Sequence, residues 1–380
     1  MPFSIPGLSP ELLELIRKEG FEKPYPIQEQ AVPAILAGKD VLGIAATGSG
    51  KTAGFVFPIL ERLQQDKKKN NRHIRVLVLV PTRELAVQVG EVFQQFSKAF
   101  KPASKTLAVF GGVSINPQMM KLQGTDIVVA TPGRLLDLIE SNALHLSEVE
   151  TLVLDEADKM LNLGFKDEIT AIFKLLPVRR QNILFSATLD KEVNGIHEIL
   201  LRDPLTIEIV PEALNIDLIE QSAYLVTEEK KGPFLRYLVK SMELEQVLVF
   251  TSSVRTADNL VMKLKKNGID ASALHSGKSQ GSRTDSLVKF KNKKLRVLVA
   301  TDIAARGIDI PELPVVINFE LPRSPKDYVH RIGRTGRAEA SGKAISLVTA
   351  AEEPHFYIIQ KKMGKRVKLI PTEDIGLHGY

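Results

Sequence analysis

Short runs of apolar, mostly β-branched residues recur along the chain, separated by helix-length amphipathic stretches. In the first half they are "DVLGIA", "IRVLVLVPT", "TLAVF", "DIVVATP", "TLVLDEAD" and "NILFSAT". In the second half they are "QVLVFTSS", "LRVLVATD", "PVVINFE" and "KAISLVT". A strand that is apolar without alternation is buried on both faces, and an intervening helix returns the chain to start the next strand in parallel. The pattern therefore predicts an α/β fold of doubly wound parallel sheets. Ligands of such sheets sit beyond the carboxyl ends of the strands. Several runs end there in small or polar residues: "PTR", "ATPGR", "DEAD", "SAT", "TSS" and "ATD".

At 380 residues, 44% of them apolar, the chain is comfortable as two domains with two cores. The halves echo each other. "IVVATPGR" and "VLVATDIAARG" share one build, as do "VLVLVPT" and "VLVFTSS". The boundary is expected in "IEIVPEALNIDLIEQ", giving a first domain over 1–208, a linker over 209–218 and a second domain over 219–380. Charge is uneven across it. Residues 1–208 carry 24 Lys and Arg against 25 Asp and Glu, and residues 209–380 carry 27 against 20. A basic second half fits a polyanionic partner such as nucleic acid, and equally a merely soluble basic surface. There is no cysteine, which excludes a disulfide framework and a cysteine-based metal site. The opening "MPFSIPGLSPELLELIRKEG" lacks the basic start and apolar core of a secretory leader. Runs such as "RVLVLV" are too short to span a membrane. A cytoplasmic, monomeric protein is the expectation.

"AATGSGKT" (Ala45–Thr52) lies between the strand "DVLGI" and the helical "AGFVFPILERL". Such a loop presents the backbone N–H groups of Ala46, Thr47, Gly48, Ser49 and Gly50 to phosphate oxygens, the glycines allowing close approach. Lys51 reaches the β- and γ-phosphates, and the Thr52 hydroxyl holds Mg²⁺. Downstream, "TLVLDEADKM" sets Asp155, Glu156 and Asp158 at the mouth of a buried strand, where like charges repel. A bound metal ion and Lys51 resolve that repulsion. Asp155 holds Mg²⁺ directly or through water, and Glu156 accepts a proton from the attacking water.

At these residues the sequence resembles the DEAD-box family of ATP-dependent RNA helicases, from Phe3 to about Thr349, with the motifs in family order and spacing. The resemblance implies two tandem RecA-like domains, ATP and Mg²⁺ as substrate and cofactor, and RNA as a partner gripped through its backbone. "GFEKPYPIQ" is similar to the adenine-reading Q motif, with Phe3 as its upstream aromatic. Gln28 then selects ATP and Phe21 stacks on the base. The family usually has Thr where Tyr25 stands. "PTRELA" with Arg83, "GG" with Gly112, and "TPGR" with Thr131 and Arg134 resemble first-domain RNA contacts. "SAT" (Ser186–Thr188), together with Asp158, resembles the link between ATP and RNA sites. In "HSGKSQGSR", Gln280 and Arg283 keep a family spacing for RNA contact, although Ser276 and Gly277 depart from it. "ATDIAARGIDI" is similar to motif V, with Thr301 on RNA and Gly307 and Asp309 at the nucleotide. "HRIGRTGR" is similar to motif VI: His330 and Arg331 couple the sites, and Arg334 and Arg337 are arginine fingers for the γ-phosphate. "AGFVFPIL" points to a bacterial RhlE-like branch. The implied activity is RNA-stimulated ATP hydrolysis coupled to local unwinding of short duplexes or remodelling of RNA–protein complexes. A DNA helicase or translocase, and an RNA clamp that uses ATP binding alone, are the rival readings.

Overall fold

The computed structural model describes residues 3–46, 48–65, 73–189, 191–209, 219–305, 313–335 and 342–380. The chain divides into two compact units, Met1–Pro211 and Glu212–Tyr380. The division falls within the expected linker 209–218, of which 210–218 lie outside the described residues.

The first unit is a seven-stranded sheet of β1 (Val41–Ile44), β2 (Val76–Leu79), β3 (Thr106–Val109), β4 (Ile127–Ala130), β5 (Thr151–Leu154), β6 (Gln181–Ser186) and β7 (Leu205–Glu208). The order is β3-β4-β2-β5-β6-β1-β7, and every pair is parallel. The second unit holds β8 (Ile219–Leu225), β9 (Val247–Thr251), β10 (Ala271–Leu274), β11 (Val297–Thr301), β12 (Val315–Asn318), β13 (Gly342–Val348) and β14 (Leu369–Pro371). Its order is β10-β11-β9-β12-β13-β8-β14, again all parallel. Counted from its own first strand, each unit follows the same path through its sheet. The echo between the halves is thus a shared topology.

Continuous apolar strands arise because helices cover both faces. In β2, Val76 and Val78 enter the core made with Phe55, Phe57 and Phe93, while Leu77 and Leu79 enter the core made with Leu135, Met160 and Ile169. In β9, Val247 and Val249 face one core, and Leu248 and Phe250 the other. Four strands fall outside the apolar runs: β7, β8, β10 and β14. β7, β10 and β14 are at sheet edges, while β8 lies next to the edge, between β13 and β14, with only Ile219 and Ala223 buried. An edge strand has one neighbour, so it is not compelled to be apolar throughout. Only Ile207 of β7 is buried, and β10 is the small-residue segment "ASAL".

Candidate active site

The sheet order sorts the motif residues into two groups. Strands β5, β6 and β1 are neighbours, so their carboxyl ends bring together Asp155, Ser186 and the loop from Ala45. Strands β3, β4 and β2 are neighbours on the other side of β5, and their ends lead to Gly112, Thr131 and Arg83.

In the first group, Lys51 opens the helix Lys51–Gln65 and is buried. Its ammonium donates to the carbonyls of Ala45 (2.6 Å) and Ala46 (3.2 Å). Burial pushes Lys51 below its ordinary value, while Asp155 and Glu156 act in the opposite sense. Gly48 and Gly50 both have φ of 84°. At Gly50 a Cβ would also lie 2.5 Å from the Gln28 amide nitrogen and 2.8 Å from the Tyr25 ring. Thr52 follows in the first turn of the helix, half-buried. Ala46 and Ser49 lie in the loop, with the Ser49 hydroxyl donating to the Ala46 carbonyl (2.8 Å). Thr47 lies outside the described residues.

Asp155 is buried, and burial pushes its carboxyl up to about 6, with Lys51 opposing and Glu156 adding to the shift. Among the described residues its Oδ1 has no hydrogen-bond partner, nor does Oε2 of Glu156. A buried acceptor without a partner costs free energy, so these two atoms mark where a ligand completes the site. Glu156 sits at φ 55° and ψ 47°, a left-handed conformation that a non-glycine residue adopts only where its surroundings impose it. Its Oε1 accepts from the ammonium of Lys159 at 2.6 Å. Lys159 went unassigned in the sequence, although its i,i+3 spacing from Glu156 is the signal that could have found it. Asp158 accepts from the Thr188 hydroxyl at 3.1 Å, and the Ser186 hydroxyl donates to the Thr188 carbonyl at 2.7 Å. Asp158, Ser186 and Thr188 are therefore brought together.

Gln28 is fully buried at the third position of the helix Pro26–Leu36. Its carbonyl accepts from the Tyr25 N–H (3.0 Å), and its amide donates to the Gly50 carbonyl (3.0 Å). It thus ties the "GFEKPYPIQ" segment to the phosphate loop. Phe21 is half-buried and meets Phe3, Phe57 and Phe96 edge-on, with centroids 6.1, 5.8 and 5.7 Å apart.

In the second group, Gly112 has φ 73°, and a Cβ there would lie 2.1 Å from the Arg83 guanidinium. Thr131 occupies the N-cap position of the helix Pro132–Glu140, with no capping bond from its side chain among the described residues. Arg134 is buried, donating to Asp137 (3.1 Å) and to the Val113 carbonyl (2.9 Å). It braces the glycine loop instead of pointing into open space. Gln118, also unforeseen, fixes the same loop by bonding both the N–H and the carbonyl of Phe110.

Within the second unit, Thr301 ends β11, and Gln280 and Arg283 lie one turn apart on the helix Gln280–Lys291. Arg331 is buried and forms a clasp. It donates bidentately to Asp302 (2.6 and 2.7 Å), to the Asn318 carbonyl oxygen of the side chain (3.1 Å) and to the Glu320 carbonyl (2.7 Å), and lies 4.9 Å over the Phe250 ring. The carboxyl ends of β9, β11 and β12 are held together by this one side chain. His330 is exposed and Arg334 half-buried, just past the helix Pro325–Ile332. Gly307, Asp309 and Arg337 lie outside the described residues.

A phosphate loop and two partnerless carboxylate oxygens at the carboxyl ends of one sheet, followed by a second sheet of the same topology, define a nucleoside-triphosphate-hydrolysing protein of tandem RecA-like domains. The DEAD/DEAH box helicase model matches residues 25–196 and the helicase conserved C-terminal domain model residues 230–339. The chain belongs to the DEAD-box ATP-dependent RNA helicases. It is 42% identical to the ATP-dependent RNA helicase CshA of Listeria monocytogenes, over 99% of this chain and 72% of that protein. It is 38% identical to the DEAD-box ATP-dependent RNA helicase RhpA of Helicobacter pylori, over 96% of this chain and 74% of that protein. These relatives give no specific support to the RhlE-like branch. Among solved structures, Saccharomyces cerevisiae Dbp5 bound to RNA and ADP BeF3 is 32% identical with a TM-score of 0.82, covering 97% of this chain and 95% of that one. A DEAD box protein from the hyperthermophile Methanococcus jannaschii is 38% identical with a TM-score of 0.52, covering 96% and 97%. The protein is thus an ATP-hydrolysing RNA helicase. No helix among the described residues is long and apolar enough to cross a membrane.

Proposed function

We propose the following division of labour for ATP hydrolysis and RNA unwinding. Lys51 and the loop Ala46–Gly50 hold the nucleotide phosphates, and Glu156 takes the proton of the attacking water. Thr52 and Asp155 would hold Mg²⁺, which supplies charge neutralisation at the phosphates. The observation that carries this reading is the pair of buried oxygens without a partner among the described residues, Asp155 Oδ1 and Glu156 Oε2, whose charge acts on a lysine bonded among those residues only to carbonyls. Glu156 would take the proton on Oε2, since its ion pair with Lys159 occupies Oε1. The conversion of binding into motion runs through Asp158, Thr188 and Ser186, which link the acidic segment to the end of β6.

Gln28 and Phe21 serve adenine recognition in this reading, with Gln28 also transmitting base occupancy to Gly50. Gly307 and Asp309 serve the nucleotide from the second domain, and Arg334 and Arg337 the γ-phosphate. Arg83, Gly112, Thr131, Gln280, Arg283 and Thr301 serve the RNA backbone, giving weak sequence preference, with Arg134 and Arg331 as positioning residues and His330 in coupling. Domains over 1–208 and 219–380 with a linker between them, a cytoplasmic location and a monomeric state complete the proposal.

One pair of variants tests it. Glu156→Gln should bind ATP and RNA but turn over ~10²-fold or more slowly, because a positioned base contributes roughly 10²–10⁴-fold. Arg334→Ala should likewise lose turnover while binding ATP in the absence of RNA. Near-normal turnover in either variant removes that residue from its role.

A further inference from the structure

The helix Glu353–Met363 and the turn after it carry features that ATP hydrolysis does not use. Between Glu353 and Glu373 there is no acidic residue, while Lys361, Lys362, Lys365, Arg366 and Lys368 crowd together. The negative end of the helix dipole accounts for Lys361 and Lys362, but Lys365, Arg366 and Lys368 lie beyond it. The turn is held in shape. Gly364 ends the helix at φ 76°, with its N–H on the Gln360 carbonyl (2.9 Å). The Gln360 side chain accepts from the Val367 N–H (2.8 Å), and Val367 is buried with Phe356 and Ile359.

Between the helix and this turn is an open hollow of about 460 Å³, lined by Tyr357, Gln360, Lys361, Gly364, Lys365 and Arg366. Tyr357 is 58% exposed, and among the described residues it joins no ring pair. An aromatic ring left in water on a cationic rim forgoes the stabilisation that burial would give it. The buried face of the helix, with Phe356 and Ile359, packs on Tyr328 and Ile332 of the helix Pro325–Ile332, and the hollow lies toward its carboxyl end. The helix follows β13 and precedes β14, which runs parallel to β8, so it runs antiparallel to the strands. The hollow is therefore at the end of the helix away from the carboxyl ends of the strands, where Thr301 lies.

We propose that this hollow is a second contact for single-stranded RNA, in which an unpaired base stacks on Tyr357 and the flanking phosphates meet Lys361, Lys365 and Arg366. Stacking on an exposed ring combined with a cationic groove is how single strands are bound without sequence readout. A duplex keeps its base faces covered and has no use for the ring. An acidic protein would meet the lysines and leave Tyr357 unexplained. The inference rests on the reading of a backbone grip at the strand ends, and extends the RNA path beyond it.

The test compares the full chain with Tyr357→Ala and with the triple variant Lys361→Glu, Lys365→Glu, Arg366→Glu. RNA affinity is measured on single strands of about 8 and about 25 nucleotides, the shorter fitting one groove only. The wild type should prefer the longer strand. The triple variant should lose that preference and lower the slope of log K against log salt by about 2, as three lost phosphate contacts require. Tyr357→Ala should weaken the longer strand by roughly tenfold. Short-strand affinity and RNA-free ATP turnover should not change. Unchanged long-strand affinity in both variants overturns the proposal, and so does equal loss on both strands, which assigns the effect to the strand-end groove. Failure of the wild type to bind the short strand rejects the backbone-grip reading instead.

Discussion

Each unit buries a lysine where its first strand gives way to a helix, and the two lysines are neutralised in opposite ways. Among the described residues Lys51, after β1, bonds only the carbonyls of Ala45 and Ala46, and the nearby carboxylates Asp155 and Glu156 keep partnerless oxygens. Lys231, after β8, is ion-paired with Glu352 at 3.0 Å and with Glu228 at 3.3 Å. The sheet path is the same in both units. What separates a nucleotide site from a structural connection is therefore not the scaffold. It is whether the charge at the strand end is completed by the protein or left for a ligand. Glycine makes the difference locally. The Gly48 and Gly50 turns let the first connection stand open around an anion, whereas Thr227 and Glu228 lead the second straight into its helix.

The largest effect should follow from removing the open lysine. Lys51→Met deletes the phosphate-loop cation proposed to hold the β- and γ-phosphates and should abolish measurable ATP binding and turnover, a loss of ~10³-fold or more by analogy with removal of a charge-stabilising group. Equilibrium binding of a fluorescent ATP analogue reads it. Retained affinity would mean that the loop N–H groups alone suffice, and would dissolve the contrast with Lys231.

Next in size is a pH effect whose sign should differ between the units. Asp155 is raised from 3.8 to about 6 when folded, so between these values the native state holds a proton that the unfolded chain has released. Its contribution to stability therefore falls as pH rises from about 4 to about 6, then stays level. Glu352 moves the other way. Burial pushes it up, but the Thr349 N–H and Lys231 outweigh burial and hold it below its ordinary 4.5. Its contribution is present above 4.5 and is lost as pH falls through the folded value. Urea midpoints between pH 4 and 7 check both. Asp155→Asn should gain on the wild type as pH climbs to about 6, and Glu352→Gln should close its deficit as pH falls. Parallel curves for the two variants would contradict the opposed signs.

Much of the site was readable from linear pattern because its parts are contiguous. The phosphate loop, the acids after β5 and the "SAT" segment each occupy one turn at a strand end, and the sheet order does the rest. What could not be read is what depends on partners far apart in sequence. Arg331 displays a basic motif, yet its guanidinium is spent on Asp302, Asn318 and Glu320. Arg134 is similarly turned to the Val113 carbonyl, 21 residues away. Gln28 is turned toward Gly50, 22 residues away. The left-handed backbone of Glu156 leaves no trace in residue type, because glutamate has no preference for it. The edge strands β7, β10 and β14 escaped for the converse reason: their surroundings ask little of their sequence.

The smallest functional effect, and the sharpest check on the comparison, belongs to the closed lysine. Lys231 is 1% exposed and sits between two carboxylates, one of them, Glu352, also capping Thr349. Removing one member of a buried pair leaves the other uncompensated, at a cost of roughly 3–5 kcal/mol when both are fully buried. Glu352 is 29% exposed, and Glu228 more so, so water relieves part of that cost and about 2 kcal/mol is expected for Lys231→Met. For a unit of this size that corresponds to a fall in Tm of roughly 4–8 °C. ATP affinity should stay within about twofold of wild type, since the methionine fills the same space and no phosphate meets Lys231. The double variant Lys231→Met, Glu352→Gln should recover part of the lost stability, because it removes the orphaned charge as well. Differential scanning calorimetry with an ATP titration on the same samples separates the two quantities. A large loss of ATP affinity with an unchanged Tm would show that the second lysine is itself open to nucleotide, and the distinction between a completed and an uncompleted strand end would fail.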